Sequence, residues 1–85
     1  MRLDYLSDLI EIERCQSISG AAQNLYLGQT TLSTILKNGE AEVGFKIFER
    51  LIGGVAPTPD GEAVLSLAKE ICAIYECIQQ IGQAD

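Results

Sequence analysis

The sequence GQTTLSTILKNGEAEVG runs from Gly28 to Gly44. Leu32, Leu36 and Val43 recur at helical spacing, and small polar residues occupy the other side. That pattern predicts a helix from about Gln29 to Val43, packed on a core by one face, with Gly44 as its C-terminal stop. Its exposed face offers Gln, Thr and Ser, side chains able to meet base edges. Lys37 is its only basic residue, in a chain of 85 residues with net charge −6.

Upstream, Leu3, Leu6, Leu9 and Ile10, with Tyr5 beside them, predict a first helix over about 3–12. The CQSIS break follows. Ser19 is the expected N-cap of a short second helix whose apolar face is Ala21, Ala22 and Leu25. Two short helices joined by a tight turn, the second polar on one side, have the form of a helix-turn-helix.

Downstream, the alternation in KIFER, the Gly53–Gly54 pair and a short apolar piece ending at Pro57 predict a two-stranded hairpin. A hairpin directly after a helix-turn-helix is a wing. Asp60 is the expected cap of a long final helix. Along it Val64, Leu67, Ile71, Ile74, Ile78 and Ile81 recur in steps of three and four, a heptad stripe. Leu65, Ala68, Cys72 and Tyr75 form a second stripe beside it. A small domain has little cover for two stripes, so one is assigned to its own core and the first to a second subunit. The expected division is a winged domain over 1–59 and a linker and dimerisation helix over 60–85.

Composition excludes several classes. No apolar run approaches the ~20 residues of a membrane span, and the acid-containing N-terminus does not resemble a signal peptide. There is no histidine, and Cys15, Cys72 and Cys77 lack close metal-ligand spacing. They read as three reduced thiols of a cytoplasmic protein. No nucleophile–base set is present, and Gly53–Gly54 lies outside any phosphate-loop frame. No enzyme, metal or cofactor is expected.

The order of elements carries specific residues. Ser17, Ile18, Ser19, Ala21, Ala22, Leu25, Gln29, Leu32, Ser33, Glu40, Glu42 and Gly44 fall in one ungapped register, followed by Phe48, Glu49, Arg50, Thr58, Pro59 and Gly61. This pattern resembles the N-terminal region of LysR-type transcriptional regulators over nearly the whole chain. The resemblance implies a recognition helix in the DNA major groove, a wing on the adjacent backbone, and antiparallel dimerisation through the long helix. In that family a large effector-binding domain normally follows, so a small-molecule effector is expected only if a further domain exists. The chain departs from the pattern at Gly28 (usually Ser), Thr30 (usually Pro), Thr34 (usually Arg) and Gly39 (usually Leu). The wing also lacks the basic residues that commonly decorate it.

On that register the expected DNA-binding residues are Ser19, Gln29, Thr30, Thr31, Ser33 and Thr34, with Lys37 and Arg50 on phosphates. From Ser17 to Asp60, Lys37, Lys46 and Arg50 stand against Glu40, Glu42, Glu49 and Asp60, a nearly neutral face. The isolated domain should therefore bind double-stranded DNA weakly, with two or three phosphates neutralised per subunit. The expected fold is mainly α: a winged helix-turn-helix of three helices and a hairpin, followed by a long dimerisation helix. One alternative is a winged-helix interaction module with weak or lost DNA binding. Another is a different regulator sharing the fold, such as a molybdate-responsive one.

Overall fold

The computed structural model describes residues 1–83; Ala84 and Asp85, the end of the expected 60–85 segment, lie outside the described residues. The chain forms α1 (Leu3–Cys15), α2 (Ile18–Asn24), α3 (Gln29–Val43), β1 (Phe48–Leu51), β2 (Gly54–Pro57) and α4 (Pro59–Gln80). The mainly helical winged helix-turn-helix is thus present, with α4 extending the molecule to 49 × 26 × 18 Å.

The helix limits follow from local chemistry. α1 runs three residues past the expected Ile12 and stops at Gln16, whose left-handed backbone (φ 55°) breaks the ladder. α2 is capped by Ser17, not Ser19: the Ser17 hydroxyl accepts the Gly20 N–H at 2.9 Å. Ile18 is buried and already helical, which places Ser19 inside the first turn, too late to cap it. α4 is likewise capped by Thr58 rather than Asp60, because Pro59 takes the first helical position and the Thr58 Oγ1 accepts the Gly61 N–H at 2.9 Å. α3 spans the expected residues and ends at Gly44, with φ 86°. Its Asn38–Gly39 pair stays helical, since Gly39 is buried in mid-helix.

The core is one cluster drawn from every element: Leu9 and Ile12 of α1, Ile18, Ala21 and Ala22 of α2, Leu32 and Leu36 of α3, Ile47, Phe48, Val55, and Leu65 of α4. The two alanines, almost wholly buried, let α2 approach its neighbours closely. Val43, expected on the core face of α3, is instead exposed at the helix end. Between α2 and α3, Tyr26 takes a left-handed conformation (φ 56°) with its ring in solvent.

The wing is antiparallel, with Phe48 opposite Pro57 and Leu51 opposite Gly54. It is tied to the end of α1, where the Val55 N–H donates to the Gln16 carbonyl at 3.1 Å. The loop before β1 is tied to the start of α4, where the Thr58 N–H donates to the Ile47 carbonyl at 3.0 Å. The wing is therefore held at both ends and set beside α3.

Candidate nucleic-acid interface

Gln29, Thr30 and Thr31 open α3 and are all exposed. Gly28 precedes them as an N-cap without a side-chain bond, so the first amides of α3 stay open to solvent or a ligand. Thr34 is exposed one turn on, but its hydroxyl donates to the Thr30 carbonyl at 3.0 Å. Its methyl remains free to meet an apolar group. Ser33 is half-buried and turned toward the wing.

Two adjoining hollows separate α3 from the wing. One, about 110 Å³, is lined by Ser33, Lys37, Glu40, Lys46, Phe48 and Arg50 among others. The other, about 270 Å³, brings Ser17, Ser19 and Gln29 to the wing residues Arg50 and Leu51. Arg50 borders both. The structure thus brings Ser19, Gln29, Ser33, Lys37 and Arg50 of the expected set to a shared groove. Thr30, Thr31 and Thr34 lie on α3 outside both hollows.

The placement of charge is uneven. Arg2 pairs with Asp4 at 3.2 Å, Arg14 with Glu11, and Lys69 with Glu13 at 2.9 Å. Among the described residues neither Lys37 nor Arg50 has a carboxylate partner, and Lys46 only approaches Glu40, at 3.9 Å. The uncompensated positive charge of this acidic chain is therefore gathered around the smaller hollow.

The nearby acids are mostly engaged elsewhere. Glu40 Oε2 accepts the Ile47 N–H at 2.7 Å and the Phe48 N–H at 3.3 Å, joining α3 to the start of β1. Glu42 is paired with the N-terminal ammonium of Met1. Glu49 alternates with Phe48 and Arg50 along β1, so it faces away from the hollow. Counting charge along the chain misses this sorting. It also misses Lys46, which lines the hollow although no site role was expected for it. Its signal is a period of two: Lys46, Phe48 and Arg50 alternate along the chain and line the same hollow.

On α4, Leu65 and Ala68 are buried and Cys72 is half-buried, as expected for the inward stripe, but Tyr75, its fourth expected member, is 43% exposed at the edge of α1 beside Leu3 and Ser7. Leu67, Ile71, Ile74 and Ile78 are between 42% and 62% exposed, an apolar row without cover among the described residues. Val64 is partly packed on the core. Ile81 follows the end of α4 with extended backbone (ψ 128°), so it leaves the helical stripe to which it was assigned. Among the described residues no helix is long and apolar enough to cross a membrane, and no cluster of metal-ligating side chains occurs.

Comparison with known proteins identifies this arrangement. Residues 3–62 match the family model for the bacterial regulatory helix-turn-helix proteins of the lysR family. The chain is 35% identical over 81 residues to the HTH-type transcriptional regulator DgcR of a Pseudoalteromonas species, covering 95% of this chain and 27% of the relative. Among solved structures it resembles the DNA-binding domain of BenM in complex with catB site 1 DNA, with TM-score 0.92 and 26% identity over 98% of this chain and 92% of that one. Full-length OxyR from Pseudomonas aeruginosa gives TM-score 0.90 and 32% identity over 99% of this chain and 28% of that one. The chain spans about a quarter of the length of the curated relatives it matches.

Proposed function

The chain belongs to the lysR family of bacterial regulatory helix-turn-helix proteins, and on that premise we propose that it is the sequence-reading end of a dimeric transcription regulator acting on double-stranded DNA in the bacterial cytoplasm. Residues 1–59 meet the DNA and residues 60–85 link and pair the subunits. Gln29, Thr30, Thr31 and Thr34 face base edges in the major groove, where Gln suits adenine and the threonine methyls suit thymine. Ser19, Ser33, Lys37 and Arg50 hold the backbone. Solved DNA complexes of a related domain support the reading. The observation that carries it is electrostatic: in a chain of net charge −6, the cations without a full partner border the groove between α3 and the wing. With so few of them, affinity is modest and falls with salt.

The exposed row on α4 supports pairing of this helix with its copy about a two-fold axis. Leu67, Ile71, Ile74 and Ile78 extend over about 16 Å at helical rise, and an exposed apolar row of this kind rarely stays in water.

A second reading, an interaction module without DNA affinity, draws on the net charge and on the missing cation at Thr34. Electrophoretic mobility shift at low salt separates the two. The DNA reading expects a shift with duplex promoter DNA that Thr34→Arg strengthens and added salt weakens. A folded dimer that shifts no duplex, with Thr34→Arg equally inert, establishes the interaction module instead.

A further inference from the structure

We propose that the hollow between α3 and β1 is a seat for a single phosphate group, held jointly by Lys37, Lys46 and Arg50 with the Ser33 hydroxyl at its wall. The proposal rests on the DNA reading, in which the occupant is one backbone phosphodiester, and it names where that phosphate sits and which unassigned residue, Lys46, holds it.

Three observations converge. The first is charge: three cations against the Glu40 carboxylate leave the lining at +2, in a chain of net charge −6. The second is partnership. Glu40 Oε2 is committed to the Ile47 and Phe48 amides, and Lys46 meets the other Glu40 oxygen only at 3.9 Å. Lys37 and Arg50 pair with no carboxylate among the described residues, so Lys37 and Arg50 are free and Lys46 is loosely held. Every other cation of the chain is paired. The third is shape. The space of about 110 Å³ admits several waters, hence one tetrahedral anion, and Ile18, Leu36, Phe48 and Val55 give it an apolar floor. An apolar floor lowers the local dielectric and strengthens each charge contact.

The seat also sets geometry. Lys37 comes from α3, Arg50 from β1 and Lys46 from the loop that joins them. A phosphate held between them fixes how far the wing stands from the recognition helix on DNA. Because three cations share one phosphate, this site adds about −0.9 per subunit to the log–log salt slope, where three separate phosphates would add about −2.7.

Two measurements on the chain test this. Nuclear magnetic resonance titration with inorganic phosphate, against chloride at matched ionic strength, is expected to move the signals of Ser33, Lys46 and Phe48 and leave α4 still. In DNA binding, Lys37→Gln, Lys46→Gln and Arg50→Gln are each expected to weaken specific and random duplexes alike, by roughly threefold to fivefold at low salt. The triple variant is expected to lower the salt slope by about one per subunit. A slope loss near three means separate phosphates and overturns the seat, while DNA binding by the chain stands. DNA binding that the triple variant leaves unchanged, or phosphate shifts confined to another surface, overturns it equally. Phosphate shifts at the hollow with no DNA binding at any salt uphold the seat for a free phosphorylated ligand and sink the DNA reading.

Discussion

The terminal methyl of Met1 lies 3.0 Å from the point where a side chain on Gly39 would begin. Gly39 stands where the family usually has Leu, so the first residue of the chain covers the gap, and its ammonium is anchored on Glu42 one turn further along α3. The contact is with the far end of a flexible side chain, which can shift. Gly39→Ala should therefore gain helix propensity, up to about 1 kcal/mol, with a melting temperature higher by a few degrees. Gly39→Leu must displace Met1 altogether and should gain less. A lower melting temperature for the alanine variant, by calorimetry, would show that the Met1 packing is rigid.

Gly61 is the opposite case. A side chain there would begin 1.9 Å from the Ile47 carbonyl oxygen, which is backbone and is held by the Thr58 N–H. Gly61→Ala should cost about 3 kcal/mol or more, or abolish folding, because α4 must lift off the loop before β1. Denaturant unfolding checks this; a loss under about 1 kcal/mol would mean that α4 slides freely.

Glu40 separates charge from hydrogen bonding. Glu40→Gln keeps a carbonyl oxygen for the Ile47 N–H and removes a negative charge from the hollow, so DNA affinity should rise severalfold at low salt while the fold holds. Glu40→Ala strands two amides and should cost on the order of 1–3 kcal/mol. Paired affinity and melting measurements check both. Equal DNA affinity for the wild type and Glu40→Gln would place the phosphate away from Glu40.

The α4 row predicts assembly. Ile71→Asp with Ile74→Asp places two charges in the exposed stripe, away from the Leu65–Ala68 face that packs on the core. Sedimentation should show a wild-type dimer at micromolar concentration and a monomeric double variant with retained helicity. An unaltered dimer would assign the interface to another surface.

Acid stability should depend on Glu11. Hydrogen bonds from Arg14 first, then Asn24, hold its carboxyl near pKa 2, below the ordinary 4.5. The folded pKa is depressed, so the stabilisation is present above about pH 4.5 and is lost as pH falls toward 2. Glu11→Gln should shrink the loss of stability across that window and lower stability slightly at neutral pH. Coincident acid-unfolding curves for the two proteins would show that the contact persists in the unfolded chain.

Helix α3 is readable from residues 28–44 almost without error, because period, polar face and terminal glycine are all local signals. The hairpin is readable for the same reason, as are the inward face of α4 from Leu65 to Cys72 and the exposed row from Leu67 to Ile78, whereas Val64, Tyr75 and Ile81 depart from the stripes to which periodicity assigns them. Capping is local too, yet Ser17 and Thr58 rather than Ser19 and Asp60 hold the helix ends. Several acceptors compete there, and only the backbone path selects among them. The functional face is not readable from order and composition. Lys37 and Arg50 are thirteen positions apart and join only when the wing folds back beside α3. Glu40 and Glu42 count as opposing charge along the chain, but in space one is spent on backbone amides and the other on the N-terminus. Periodicity and turn chemistry act over a few residues and set the elements. Coulombic sorting acts through space, so the tertiary structure alone decides which charges remain free for a partner.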